Sequence, residues 1–309
     1  MRFLITGANG QDGQYLVKSF KSAGHEVIEL GREYSRFFHT GQLIEAKSPK
    51  LDDPSTSKEF LDSQKPDCIL HFAAVHYPAM IHNGESNRDE MVACHVTTTE
   101  NFLGWLIKNE NSKMIVALSS QMYSANTENV RISERTAHSP STFYGKTKSE
   151  AHILMRRYSD DYQTNAAGAI LFNHTSTRSK ASFLFPILAN AISDSIKSGY
   201  KDITVRNSNA YLDMGFSDEY CEGIISMLTE DRLTDYVFSS GTASTINSIV
   251  SQTLSTLGLQ EKIKLLTESS EPKWCPVGDN TKARNNLHWQ PEKRASDILA
   301  EMVEHIQKN

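Results

Sequence analysis

Arg2-Phe3-Leu4-Ile5-Thr6-Gly7-Ala8-Asn9-Gly10-Gln11-Asp12-Gly13 is the stretch that decides the fold. Arg2 to Thr6 is a short apolar run that reads as a buried strand and stops at a glycine. Beyond the glycines, Tyr15, Leu16, Phe20 and Ala23 recur at helical spacing until Gly24 ends the helix. Val27-Ile28-Glu29-Leu30 is a second strand. The unit is therefore strand, glycine turn, helix, strand. Gly7-x-x-Gly10-x-x-Gly13 lets the backbone turn tightly and brings a helix N-terminus up to a pyrophosphate. Its place directly after the first strand points to a bound dinucleotide.

The end of the second strand speaks to which dinucleotide. An acidic residue there suits the free ribose hydroxyl of NAD, whereas an arginine accommodates the extra phosphate of NADP. The chain reads Leu30-Gly31-Arg32-Glu33. Gly31 stands near the acidic position and Arg32 follows it, so NADP(H) is expected, with NAD as the lesser choice through Glu33. Residues 35 to 54 give no clear element, although Leu51-Asp52-Asp53 suits a cap on the next helix and a contact to the adenine, an Asp before a helix being more often a cap alone. Cys68 to His71 reads as a strand running into Phe72-Ala73-Ala74, small residues that suit close approach of a cofactor. His71 and His76 read as structural histidines without the partners of a metal site.

Asn87 to Lys108 has the apolar face of a long helix, and Met114 to Leu118 is a strand that delivers Ser119, Ser120 and Gln121. Ser141 to Tyr162 is a helix carrying Tyr144-x-x-x-Lys148, and residues four apart share one helix face. A lysine ammonium beside a phenol favours the phenolate. Ser119, Tyr144 and Lys148 thus form a candidate acid/base site, with the expectation that Lys148 lowers the tyrosine's pKa. Ala166 to Phe172 is a further strand, reaching Asn173-His174. Strands alternating with helices at this spacing predict a doubly wound parallel α/β sheet. The expected division is a Rossmann-type domain over 1–172 and a smaller α/β substrate lobe over 173–309, with chain returning to the first domain.

Composition narrows the classes. The 309 residues are 39% hydrophobic, enough for a sizeable core. A net charge of -5 gives no support for nucleic-acid or basic membrane contacts. No apolar run approaches the roughly 20 residues of a membrane helix. Cys68, Cys94, Cys221 and Cys275 show no metal-ligand spacing, and a reduced, cytoplasmic protein is expected.

The glycine turn followed by Ser119, Tyr144 and Lys148 resembles the extended short-chain dehydrogenase/reductase family, the NAD-dependent epimerase/dehydratase group. Within it the likeness is to GDP-mannose 4,6-dehydratases and their sister 4-keto-sugar reductases. It is carried by Gly10-Gln11-Asp12-Gly13-x-Tyr15-Leu16, Ile170-Leu171-Phe172-Asn173-His174, and Gly278-Asp279-x-Thr281-Lys282-Ala283 with Leu287-x-Trp289-x-Pro291. The resemblance implies catalytic places for Ser119, Tyr144 and Lys148. It implies cofactor places for Gly7, Gly10, Gln11, Asp12, Gly13, Arg32, Ala73, Ala74, Tyr144 and Lys148. It implies contacts to an activated sugar from Ser120, Asn173 and His174, and a homodimer through the helices near 87–108 and 141–162.

Two departures separate this chain from that pattern. Dehydratases of the group carry a glutamate two positions after the catalytic hydroxyl, as the base for water elimination; here it is Gln121. An amide cannot take up that proton, so the expected reaction is reduction of a keto sugar by NADPH. An epimerase or dehydratase with tightly held cofactor is the alternative, and a cofactor-binding regulatory protein without turnover is a third. The second departure is at three cationic positions that grip a diphosphate, where Ile187, Leu212 and Glu271 stand. Lys180, Arg206 and Lys273 lie nearby in sequence. Fewer phosphates on the ligand, as in a CMP-linked sugar acid, would fit this loss.

Overall fold

The computed structural model describes residues 1–32, 34–76, 87–124, 130–267 and 271–308. In chain order its first elements are strand β1 (Arg2–Thr6), helix α1 (Gln11–Ser22), strands β2 (Glu26–Leu30), β3 (Tyr34–His39) and β4 (Gln42–Lys47), helix α2 (Pro54–Gln64) and strand β5 (Cys68–His71). Helix α3 (Arg88–Val92) runs through a π turn (Ala93–Thr97) into α4 (Thr98–Leu106), followed by β6 (Lys113–Ser119), β7 (Arg131–Ile132), α5 (Phe143–Tyr162), β8 (Ala166–Leu171) and β9 (Asn173–Thr175). The remainder comprises α6 (Leu184–Lys197), β10 (Ile203–Val205), β11 (Tyr211–Leu212), β12 (Met214–Phe216), α7 (Ser217–Met227), β13 (Tyr236–Phe238), β14 (Ser244–Thr245), α8 (Ile246–Thr256), β15 (Leu265–Thr267), β16 (Val277–Gly278), α9 (Thr281–Leu287) and α10 (Ala295–Lys308).

The large sheet has the order β13-β8-β6-β5-β1-β2-β3-β4. β1 pairs in parallel with both β2 and β5, and β5 in parallel with β6. The chain thus leaves β1 for β2 on one side and later resumes beside β1 on the other. In such sheets the crevice beyond the strand C-termini at the reversal is where ligands bind. Gly7 leaves β1 there and Ala73 leaves β5. This is the doubly wound α/β architecture expected from the strand and helix spacing.

Residues 34–47 form an antiparallel hairpin that the sequence did not announce. Its two-residue turn needs positive φ at both positions, supplied by Thr40 (49°) and Gly41 (80°). Threonine rarely accepts that geometry, so the usual Asn-Gly signal is missing. The Gln64 side chain secures the hairpin, accepting from the Phe38 N–H and donating to the Phe38 carbonyl. Asp53 does cap α2, accepting from the Thr56 N–H at 2.8 Å.

Two compact units divide the chain. The first is Met1–Tyr123, Ala137–Ile170 and Ile224–Tyr236; the second is Ser124–Thr136, Leu171–Gly223 and Val237–Asn309. The first buries the apolar strand residues Leu4, Ile5, Ile69, Leu70, Ile115 and Val116 under helices, with Phe3 stacked on Phe20 at 4.0 Å. The second has its own core, in which α6, α8 and α10 contribute Phe185, Ile192, Val250, Leu254, Leu299 and Met302. Among the described residues no helix is long and apolar enough to cross a membrane.

Candidate active site

The cradle begins where β1 stops. Gly7 has φ 73°, and a Cβ there would lie 2.7 Å from backbone atoms of Phe72 and Ala73. A Cβ on Gly13 would stand 2.2 Å from the Gly7 carbonyl oxygen. Both glycines are therefore set by close approach of backbone to backbone. Gly10 is the N-cap of α1 and supplies no side-chain cap, and the N-terminus of a helix is suited to an anion. A nicotinamide dinucleotide fits this cradle through its pyrophosphate.

Thr6 and His71 brace the two crevice strands. His71 Nε2 donates to the Cys94 carbonyl at 3.0 Å, so Nδ1 is the acceptor for the Thr6 hydroxyl at 2.7 Å. Thr6 Oγ1 accepts in turn from the Ala73 N–H. Burial pushes His71 down to about 3, with Lys148 adding to the effect. It is a neutral structural histidine, as read from the sequence. At the end of β2, Gly31 offers no side chain. Its neighbour Arg32 pairs with Glu90 at 2.9 Å, both largely exposed. Glu33, the acidic alternative, lies outside the described residues.

Ser119 ends β6, and its Oγ accepts from the Gln121 N–H, turning the chain into a short 3-10 turn over Ser120–Met122. Thr142 caps α5 by accepting from the Gly145 N–H at 3.0 Å. Gly145 is required because a Cβ there would meet the Gln121 carbonyl oxygen at 2.1 Å. That contact brings Tyr144 to Ser119, whose hydroxyl hydrogen-bonds the phenol. Lys148, 1% exposed, donates to the Ala117 carbonyl at 2.8 Å, and its Nζ lies 5.9 Å from the Tyr144 ring centroid.

The expected lowering of the Tyr144 pKa by Lys148 is not what these side chains produce. Burial pushes the phenol up to about 12; the Ser119 hydrogen bond opposes this only in part, and Asp12 adds to it. Burial equally pulls Lys148 down to about 8. Desolvation outweighs the attraction because the ammonium is turned toward Ala117 and lies under the ring rather than at the hydroxyl.

Two further histidines adjoin Tyr144. His95 lies edge-on at 5.3 Å between ring centroids, and His76 at 4.7 Å. His95 Nε2 accepts from the Val75 N–H, which leaves Nδ1 to donate to Thr147 Oγ1 at 2.8 Å. His95 projects from the π turn, a feature often found at functional sites. His76 Nε2 lies 3.3 Å from Gln121 Nε2. Sequence reading gave His95 no role and made His76 merely structural. The shared spacing of Tyr144 and Lys148 was visible, but contacts between residues 76, 95 and 144 depend on the folded sheet.

Comparison with known proteins settles the kinship. The model of the GDP-mannose 4,6 dehydratase family matches residues 4–302. The chain belongs to the GDP-mannose 4,6 dehydratase family. This family lies in the NAD(P)-dependent nucleotide-sugar dehydratase and epimerase superfamily. GDP-mannose 4,6 dehydratase 1 of Arabidopsis thaliana is 27% identical over 97% of this chain and 88% of its own length. In fold, the chain is similar to dTDP-glucose 4,6-dehydratase from Bacillus anthracis in complex with NAD (TM-score 0.79, 17% identity, 100% of this chain and 97% of that one). It is equally similar to RMD from Pseudomonas aeruginosa complexed with NADPH (TM-score 0.79, 17% identity, 99% of each chain).

The second unit holds the other residues that the family resemblance singled out. Asn173 is exposed at the start of β9, which pairs with β12. His174 Nδ1 donates to the Phe172 carbonyl at 2.7 Å, and its ring packs beside Tyr220. Ile187 and Glu271 are exposed and Leu212 is half-buried; Lys180, Arg206 and Lys273 are exposed. Lys273 Nζ approaches Asn207 Oδ1 at 3.4 Å. The family motif around Gly278 is structural: Asp279 accepts from the Thr281 N–H and hydroxyl, and Trp289 donates to the Glu219 carbonyl. Asp213, fully buried, accepts from Ser240 and from the Gly278 N–H; burial raises it to about 6 despite those bonds.

Proposed function

We propose that this chain reduces a keto group on a nucleotide-activated sugar at the expense of NADPH. The observation that carries the reading is Gln121. Its Oε1 accepts from the Thr142 hydroxyl at 3.0 Å, so the residue two places after Ser119 presents an amide nitrogen where elimination of water calls for a carboxylate. An amide has no proton-accepting nitrogen at working pH. The hydride chemistry needs no such base. Ser119 holds the carbonyl oxygen, and Tyr144, protonated up to about 12, hands it a proton. Lys148 fixes that corner through Ala117. When bound, the reduced nicotinamide supplies the hydride.

Arg32 supports NADP(H): its partner Glu90 is exposed, and a surface pair of this kind contributes only about 0–1 kcal/mol, so the guanidinium is readily redirected to a phosphate. Asn173 and His174 are assigned to the sugar nucleotide. Absence of cations at 187, 212 and 271 supports a ligand with fewer phosphates than a nucleoside diphosphate, such as a CMP-linked sugar acid. Val92, Ile153 and Tyr162, exposed on α3 and α5, support a dimer through those helices. Family membership favours a second reading, an epimerase or 4,6-dehydratase that returns its cofactor unchanged. A screen of GDP- and CMP-linked keto sugars, followed by cofactor absorbance, separates the two. The reductase consumes NADPH stoichiometrically with product; product formed without net consumption establishes the second reading instead.

A further inference from the structure

We propose that His138 and His152 form a proton-operated latch, which fastens the segment 138–142 to α5 at neutral pH and releases it in acid. The latch does not depend on which reaction the site catalyses.

The groups concerned all belong to the first unit and are joined end to end. The Ser149 hydroxyl lies 2.7 Å from His138 Nδ1, His138 Nε2 lies 3.0 Å from His152 Nδ1, and His152 Nε2 lies 2.9 Å from Asp235 Oδ2. Every ring nitrogen is engaged, so reversing either ring would put carbon where a polar partner stands. Asp235 also pairs with Arg156 and is held below the ordinary carboxylate range despite its burial, so it is ionised and only accepts. His152 Nε2 therefore donates. With both rings neutral, His152 Nδ1 is a lone pair, His138 Nε2 donates to it, and His138 Nδ1 accepts from Ser149.

One added proton fits this chain. His152 then donates at both nitrogens, to Asp235 and to His138. The His138 hydrogen passes to Nδ1, and the Ser149 oxygen, which can accept as well as donate, receives it. A second proton has no such place. His152 Nδ1 and His138 Nε2 would both carry hydrogen, facing each other across 3.0 Å, and two cationic rings would lie 5.0 Å apart between centroids. The contact between the rings opens, and His138 is the side that moves. His152 is buried within the 20-residue helix α5, whereas His138 is half-buried on a stretch that is neither helix nor strand.

The surrounding groups do not relieve the second charge. The Tyr123 phenol ring stands edge-on to His138 at 5.5 Å, α5 adds the Arg156 guanidinium, and Asp235 is shared between His152, Arg156 and the Gly168 N–H. Burial pulls His138 below its ordinary 6.5, with His152 adding to the effect and Asp235 opposing it. The folded value is depressed, so the fastening is complete above about pH 6.5 and is lost as pH falls through the lower folded value. What is released bears on the candidate site. Ser139 N–H donates to the Met122 carbonyl at 2.9 Å, and Thr142 caps α5 and donates to Gln121 Oε1. Freeing His138 thus loosens the stretch that backs the Ser120–Met122 turn, and Gln121 with it.

The test uses the intact protein without substrate. Nitrogen NMR at pH 8 is expected to show hydrogen on Nε2 of both His138 and His152; hydrogen on His138 Nδ1 at that pH overturns the chain of bonds. Amide hydrogen exchange is then compared at pH 8 and pH 5 by mass spectrometry, corrected for the intrinsic rate. Ser139, Ser141 and Thr142 are expected to lose protection roughly tenfold or more at pH 5, with amides in the middle of α5 unchanged. Equal loss in α5 reports unfolding of the unit and overturns the latch, as does a segment protected alike at both values. His138→Gln and His152→Gln each remove the second imidazolium, and each is expected to leave exchange of the segment independent of pH; a folded variant that keeps the native dependence overturns the role of the pair. If neither variant folds, NMR titration of the native protein decides. Release that follows the second imidazolium proton supports the latch, and release before it overturns the latch.

Discussion

Lys148 reaches from α5 to the sheet and donates its ammonium to the carbonyl oxygen of Ala117, 2.8 Å away. A charged group with 1% exposure is costly to bury, and that cost sets its titration near 8 against an ordinary 10.5. The folded pKa is depressed, so the unfolded chain holds more protons between those values and the lysine's penalty eases as pH rises. Relative to Lys148→Met, the native protein is expected to gain about 3 kcal/mol between pH 7 and pH 10. Paired urea titrations at the two values measure this; a pH-independent gap refutes it.

Tyr144→Phe removes the proton donor but keeps the ring between His76 and His95. Turnover is expected to fall roughly a thousandfold with cofactor affinity preserved. Because the phenol stays protonated up to about 12, the native enzyme's loss of reduction with rising pH is expected near 8, following Lys148. A rate profile flat to pH 10 contradicts that assignment.

Arg32→Ser tests the choice of cofactor. One charge-assisted hydrogen bond to a phosphate contributes about 1.5–3 kcal/mol, so NADPH affinity is expected to drop about tenfold or more with NADH affinity unchanged. Fluorescence titration of both cofactors reads the ratio directly. Equal losses for both would move the specificity elsewhere.

Asp235 is buried beneath α5 and accepts from His152 Nε2 and Arg156 at 2.9 Å and from the Gly168 N–H at 2.8 Å. Burial pushes the carboxyl up, but the His152 bond and charge, Gly168 and Arg156 together hold it below its ordinary range. Its stabilisation is therefore present above about pH 4 and lost as pH falls through the lower folded value. Asp235→Asn is expected to cost about 3–5 kcal/mol at pH 7, a gap that narrows in acid. Thermal midpoints of both proteins at pH 7 and pH 3 check the sign.

The strand, glycine turn and helix at the N-terminus were legible because φ 73° at Gly7 and the 2.2 Å approach at Gly13 leave no other residue type comfortable there. Tyr144 and Lys148 were legible because helix periodicity alone puts them on one face. The hairpin over 34–47 was not, since its turn uses Thr40 in place of a better positive-φ residue. Nor was His95, whose partners stand 20 and 52 positions away. The sign of the Tyr144 shift also escaped sequence reading, because it is decided by how deeply the phenol and ammonium are covered.

The π turn over Ala93–Thr97 has a bearing on insertions and deletions. It accommodates one residue more than regular α-helical winding would take. Deleting one residue there would let regular α-helical winding resume with the flanking helices in register, and the bulge from which His95 projects would close. His95 would swing away from Val75 and Thr147 together, and the tyrosine's neighbour would be lost without any change in composition. Chain length at this point is thus itself part of the site. A gap placed inside residues 88–106 when this chain is aligned with its relatives marks a rebuilt wall, not a neutral slip.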